Sequence, residues 1–147
     1  MRLEYLCDMQ LTLNESQAMT QPHDGEAGAL FALGGGTIAG ERLRGVVRCA
    51  NHARRRGDGA MQPDVHGAIT TDDNATILFH MQGLTPWLPT PEGPKGDQIS
   101  WISFETDGEA YRWLNDLRCV LEGVVHLRPG VGASGTVRVY TCVNEMV

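Results

Sequence analysis

Apolar and polar residues alternate with a period of two along most of this chain, the spacing of a strand with one buried face and not that of a helix. In the first segment Leu3, Tyr5, Cys7, Met9, Leu11 and Leu13 fall on one face, while Arg2, Glu4, Asp8, Gln10 and Thr12 fall mostly on the other. Weaker alternation, enriched in β-branched residues and punctuated by Gly and Pro, predicts further strands over about 30–38, 41–50, 60–72, 75–83, 98–106, 117–127 and 135–145. Eight consecutive strands without helical crossovers between them suit an antiparallel meander, because parallel neighbours need such crossovers. Closing the meander into an eight-stranded up-and-down barrel removes both exposed edges and leaves an interior that side chains fill or that holds one small ligand. A flattened sandwich is the alternative the same pattern allows.

Two stretches interrupt the alternation. Residues 14–29 are polar and contain glycine, and residues 84–97 carry Pro86, Pro89, Pro91 and Pro94, each of which removes a backbone donor. Both are predicted as long loops. Trp87 in the second is a large apolar group that needs a surface to cover, so this segment is read as a lid across a barrel mouth, with a plain solvated loop as the other reading. One helical turn is expected around Tyr111–Asn115, with Trp113 and Asn115 locking the entry into the strand that follows. The 147 residues contain no internal repeat and match one domain, a single barrel over 1–147.

Charge and cysteine usage narrow the partners. With 12 basic against 18 acidic residues the net charge is −6, the wrong sign for gripping nucleic acid or an anionic membrane surface. The polar interruptions in Met1–Leu13 are unlike a secretory leader, and no stretch reaches the length of a membrane helix, so a cytoplasmic protein with no membrane partner is expected. Cys7, Cys49, Cys119 and Cys142 all fall in predicted strands; two disulfides are possible, but buried reduced thiols fit that compartment better. The histidines at 23, 52, 66, 80 and 126 show no H-x-H or H-x₃-H pair, so neither a metal nor any other cofactor is expected. Arg54-Arg55-Arg56 reads as a solvated loop, and Gly34-Gly35-Gly36 as a bulge or barrel bend instead of a phosphate cradle.

The segments GGGTIAGERLRG at 34–45, DVH and TTDDNA within 64–75, and FETDGEAYRWLN at 104–115, in this order, resemble the bacterial and fungal domain-of-unknown-function family three-two-three-seven. The resemblance spans nearly the whole chain and implies an eight-stranded, lipocalin-like barrel. It departs from the family pattern at Cys49–Ala53 and at Ser100–Ser103. The family brings no settled chemistry, so the resemblance bears on fold more than on activity.

Candidate chemistry centres on Asp64-Val65-His66, because residues two apart on a strand share a face. If Asp73-Asn74 is a two-residue hairpin turn, His66 stands opposite Met81 and Asp64 opposite Gly83. The shared face then carries Asp64, His66, Ala68, Ile77, Phe79 and Met81, an apolar wall with one acid and one imidazole. A loop one residue longer would instead gather Asp64, His66, His80 and Gln82, and in either register the pair could simply face water. Arg44 is a possible anion or carbonyl clamp, although it shares parity with Arg42 and Arg48 and the whole row could be exposed. Glu105 is a possible second inward acid.

The expected function is a cofactor-independent enzyme that cyclises, isomerises or dehydrates a hydrophobic, cyclic or polyketide-like metabolite inside the barrel. Asp64 or His66 would move the proton, Arg44 or Glu105 would orient the substrate, and Phe79, Met81, Trp87, Trp101 and, in the longer-loop register, His80 would shape the pocket. The alternatives are a non-catalytic carrier with the same cavity and a module whose barrel is packed solid. A homodimer is expected, to cover an apolar outer face that would include Val65, Ile69 and Leu78 in the favoured register.

Overall fold

The computed structural model describes residues 1–23, 28–128 and 132–147. Eight long strands, β1 (Arg2–Met19), β2 (Ala29–Ala39), β3 (Arg44–Arg55), β5 (Asp64–Thr71), β6 (Thr76–Leu84), β8 (Lys95–Glu105), β9 (Cys119–Arg128) and β10 (Gly132–Val143), pair in chain order. Two short strands, β4 (Met61–Gln62) and β7 (Trp87–Leu88), add to β3 and β8. Every pairing is antiparallel, and β1 pairs both β2 and β10, so the meander closes into a barrel without a free edge among its long strands.

The eight strands read from alternation are present, but β1 runs on through Met19 into residues expected as loop, and one face is not as expected. Leu3 and Tyr5 are half exposed on the outside, whereas Cys7 and Met9 are completely buried inside. The register of β1 against β10 slips between Tyr5 and Cys7, so Leu6 is an extra residue that flips the parity of everything before it. A second slip against β2, between Leu13 and Glu15, makes Asn14 the extra residue opposite the Gly34-Gly35-Gly36 run. There the glycines permit close approach: a Cβ on Gly36 would lie 1.7 Å from the carbonyl oxygen of Gln10. The glycine run itself pairs with β3 without a register shift, so the bulge expected at these glycines lies instead in the neighbouring β1 strand.

The residues between β5 and β6 correct the expected hairpin register. Asp72-Asp73-Asn74 form a three-residue loop, with Thr71 N–H donating to the Ala75 carbonyl and Asn74 in the left-handed region at φ 67°. His66 therefore pairs with His80 and Asp64 with Gln82. Val65, Ile69, Ile77, Phe79 and Met81 are the buried apolar residues of this hairpin, and Asp64, His66 and His80 lie on its outer face. The apolar outer face used to argue for a dimer is thereby reduced, since Val65 and Ile69 are interior and Leu78 remains half exposed.

One end of the barrel is filled. Ile38, Leu43, Ile69, Ile77, Phe104, Leu121 and Val139 share one buried apolar cluster with Leu114, the buried residue of a 3₁₀ helix over Glu109–Asp116. That helix is longer than the expected turn, and Asn115 locks it as anticipated: its Oδ1 accepts the Thr106 N–H at 2.8 Å and its Nδ2 donates to the Thr106 carbonyl at 2.9 Å. Trp113 donates to the Ala110 carbonyl at 3.1 Å and lies beneath the Arg42 guanidinium at 3.8 Å. The other end is open.

Candidate functional site

At the open end the barrel holds a cavity of about 660 Å³, within the range of small-molecule pockets. Its wall is mainly apolar, with Leu11 and Leu13 from β1, Leu30 from β2, Val65 and Met81 from the β5–β6 hairpin, and Val125 and Val137 from β9 and β10. Inward residues of successive strands supply this wall, because closure turns one face of every strand toward the axis. Trp87 lies at its border, where Thr85 bridges Met61 and β7 pairs Lys95 and Gly96 of β8. Of the segment expected as a lid, Thr85 and Trp87 line the cavity, while Leu84, Trp87–Leu88 and Lys95 onward belong to strands, so only part of the expected loop is loop.

Polar side chains interrupt this wall at Asn14, Ser16, Asn51, Thr85, Gln98 and Arg128. Asn14 owes its position to the bulge in β1, which re-aims the side chain at that point. Asn51 uses its Oδ1 to accept the backbone N–H of Asp64 at 3.0 Å, which fixes the orientation of its amide. Gln98 is only 7% exposed, and its Nε2 donates to Ser100 Oγ at 3.0 Å while resting 3.6 Å from Met81 Sδ. Its amide is therefore held by protein contacts before any ligand arrives. Among the described residues, no carboxylate and no imidazole lines the cavity; Arg128 is its ionisable group.

The sequence-derived candidates divide accordingly. Met81 and Trp87 line the cavity as expected. Phe79 points inward but belongs to the filled part, its ring over Gly67, where a Cβ would come within 2.3 Å of the ring carbons. Asp64, His66, Arg44 and Glu105, the expected proton carriers and clamps, sit on the outer wall, as do His80 and Trp101. Their expected place inside the barrel is corrected by strand parity: Glu105 faces exposed Leu78, and Trp101 faces Gln82.

Gln98 and Asn51 were missed by sequence reasoning. A signal for Gln98 existed, since Ile102 and Phe104 are buried and the same parity runs back through Ser100 to Gln98. Asn51 carried no comparable mark, because it lies where alternation in β3 weakens.

On the outer wall, three of the expected residues do meet. Asp64 Oδ1 lies 2.7 Å from His80 Nε2 and 3.4 Å from His66 Nε2, and the two imidazoles stack with centroids 4.1 Å apart and planes 16° from parallel. The hydrogen bond from His80 holds the Asp64 carboxyl below its usual range, with partial desolvation opposing. Inside the barrel, burial pushes the Cys7 thiol up to about 12 and the Cys49 thiol to about 11. The four cysteines are unpaired; Cys7, Cys49 and Cys119 are buried, whereas Cys142, also expected to be buried, is only partly so.

The family model described as "Protein of unknown function (DUF3237)" matches residues 1–142. The chain belongs to this family. Among solved structures, a β-barrel-like protein from Acinetobacter baumannii is 22% identical with a TM-score of 0.79, covering 95% of this chain and 94% of its own. A protein of unknown function from Clostridium acetobutylicum is 18% identical with a TM-score of 0.80, covering 97% and 100%. An enzyme from Penicillium herquei is 24% identical with a TM-score of 0.64, covering 95% and 92%. At these identities the likeness speaks for the barrel fold. No curated protein matches the chain. Among the described residues no helix is long and apolar enough to cross a membrane.

Proposed function

We propose that this DUF3237 protein binds a small, largely apolar organic molecule in the open end of its barrel and orients it through the amides of Gln98 and Asn51. The observation that carries this reading is the cavity of about 660 Å³ with an apolar wall and two amides anchored by protein hydrogen bonds. Such a site selects a ligand with one or two carbonyl or hydroxyl groups on a hydrocarbon or aromatic frame, and Arg128 favours an anionic group at the rim.

A second reading, turnover of the bound molecule, draws support from the structural neighbour described as an enzyme. With no acid or imidazole among the described wall residues, such catalysis works by holding a flexible substrate in its reactive shape, excluding water and polarising a carbonyl through an amide N–H. Cyclisation or isomerisation of a polyketide-like compound meets these terms better than a reaction that needs a strong base. Asp64 and His66 have no part in it from their positions on the outer wall.

The test is a fluorescence titration with anilinonaphthalenesulfonate, an apolar dye with one anionic group. Saturable binding to the native protein, abolished by a bulky residue on the cavity wall, supports the reading; absence of saturable binding, or binding unaffected by that residue, overturns it. Incubation of aromatic and polyketide-like candidates that displace the dye, followed by mass and absorbance analysis, then separates turnover from carriage.

A further inference from the structure

The stacked imidazoles on the outer wall belong to no part of the cavity. They come instead from the non-turn end of the β5–β6 ladder, where His66 stands directly opposite His80 and Asp64 is diagonal to His80. The ladder fixes both backbones, so three ligand-type side chains converge without any loop having to order. Their donor atoms all lie within 4.8 Å of one another.

We propose that Asp64, His66 and His80 form a surface site for a zinc-like divalent ion, with two imidazole Nε2 atoms and one carboxylate oxygen as ligands. Two ligands bound tetrahedrally at zinc distances lie about 3.3 Å apart. The Asp64–His66 separation of 3.4 Å already meets that spacing, and the Asp64–His80 pair at 2.7 Å needs only a small opening. Both Nε2 atoms lie near the same carboxylate oxygen, His80 within hydrogen-bond distance and His66 farther off, so a cation entering between them takes the place of the single His80–Asp64 hydrogen bond.

The donor set decides the kind of ion. Two nitrogens and one oxygen suit zinc, copper, nickel or cobalt, and discriminate against magnesium and calcium, which take oxygen shells. The surroundings leave an approach open. Ala50 stands opposite His66 on β3 and Ser103 opposite His80 on β8, both short side chains, and His66 is 66% exposed. The open side leaves room for water as a fourth ligand. The Asp64 backbone N–H donates to Asn51 Oδ1, which fixes the backbone that carries the carboxylate. The ion would clip β5 to β6 and stabilise the native barrel, independently of whether the cavity holds a ligand.

The test is calorimetric titration of chelator-treated protein with zinc chloride, together with the visible spectrum of the cobalt-loaded form. One equivalent bound, d–d absorption of a four- or five-coordinate ion, and a loss of at least about tenfold in affinity in each of His66→Ala, His80→Ala and Asp64→Asn are expected. His52→Ala, which alters another outer imidazole, retains wild-type affinity. Circular dichroism and metal-free melting show that the variants keep the barrel. Absence of saturable zinc binding, or unchanged affinity and stoichiometry in the His66→Ala/His80→Ala double variant, overturns the proposal.

Discussion

His66 and His80 face each other across β5 and β6 with their rings 4.1 Å apart and nearly parallel. This pairing follows from the register that the Asp72–Asn74 loop imposes, and the register decides which side chains the barrel encloses. With histidine opposite histidine, Val65, Phe79 and Met81 turn inward, and the acid–imidazole cluster is left on the outer wall.

The cavity should respond to filling. Ala133 lies on its wall near the start of β10 and is only partly buried, so Ala133→Trp occupies space without rebuilding the core. Dye affinity should fall about tenfold or more, by steric exclusion from a well-packed wall, with the melting temperature little changed. Fluorescence titration and calorimetric melting measure the two.

Gln98 should matter for polar ligands and not for bare hydrocarbons. Gln98→Leu keeps bulk and removes the amide whose Oε1 is left to accept from a ligand, so a ligand carrying a hydroxyl loses about 1 kcal/mol, roughly fivefold in Kd. An aromatic hydrocarbon of the same shape binds as well or better. Parallel titrations of such a pair against both proteins give the answer, and equal effects on the two ligands would remove Gln98 from the recognition scheme.

Gly67 is required by the ring of Phe79. A Cβ at 67 lies within 2.3 Å of two ring carbons, so Gly67→Ala should destabilise by about 1–3 kcal/mol, the usual range for overpacking. Phe79→Leu in the same chain removes the contact with the ring but leaves the Cβ 2.8 Å from the Arg48 carbonyl oxygen, so urea denaturation of the two singles and the double should show partial rescue and non-additivity.

Asn115 closes the filled end through two bonds to Thr106. Asn115→Ala breaks both and leaves polar backbone without its partner, which should cost about 1–3 kcal/mol in urea denaturation. Ligand affinity at the open end should stay within experimental error, because the helix lies at the opposite end of the barrel.

Stability should also fall in alkali through the buried thiols. The native state keeps the Cys7 proton up to about 12, whereas an exposed thiol loses it near 9.0. Between those values the native state binds more protons than the unfolded chain, so this contribution is complete below the lower value and is lost as pH rises toward the upper one. The urea midpoint should drop between neutral pH and pH of about 10.5, and Cys7→Ala should make the drop smaller.

How far the sequence reaches is visible strand by strand. Alternation located eight strands and closure into a barrel, because burying one face imposes a period of two on any half-buried strand. It could not locate the two bulges in β1, since an extra residue such as Leu6 or Asn14 looks locally like any other and shows itself only against its partner strand. Trp87 and Met81 were recognised as pocket residues from their size and surroundings. Asn51 and Gln98 were not, because an amide facing a cavity and an amide facing water are the same letter.

Class, size, acidic balance and the closed meander follow from the chain alone, because they depend on composition and on local periodicity that every strand carries. Which face is the inside, which end stays hollow and which residues meet on the outer wall depend on pairings between distant segments. A single residue in the Asp72–Asn74 loop exchanges the two faces of the hairpin, so those features belonged to the tertiary structure to decide.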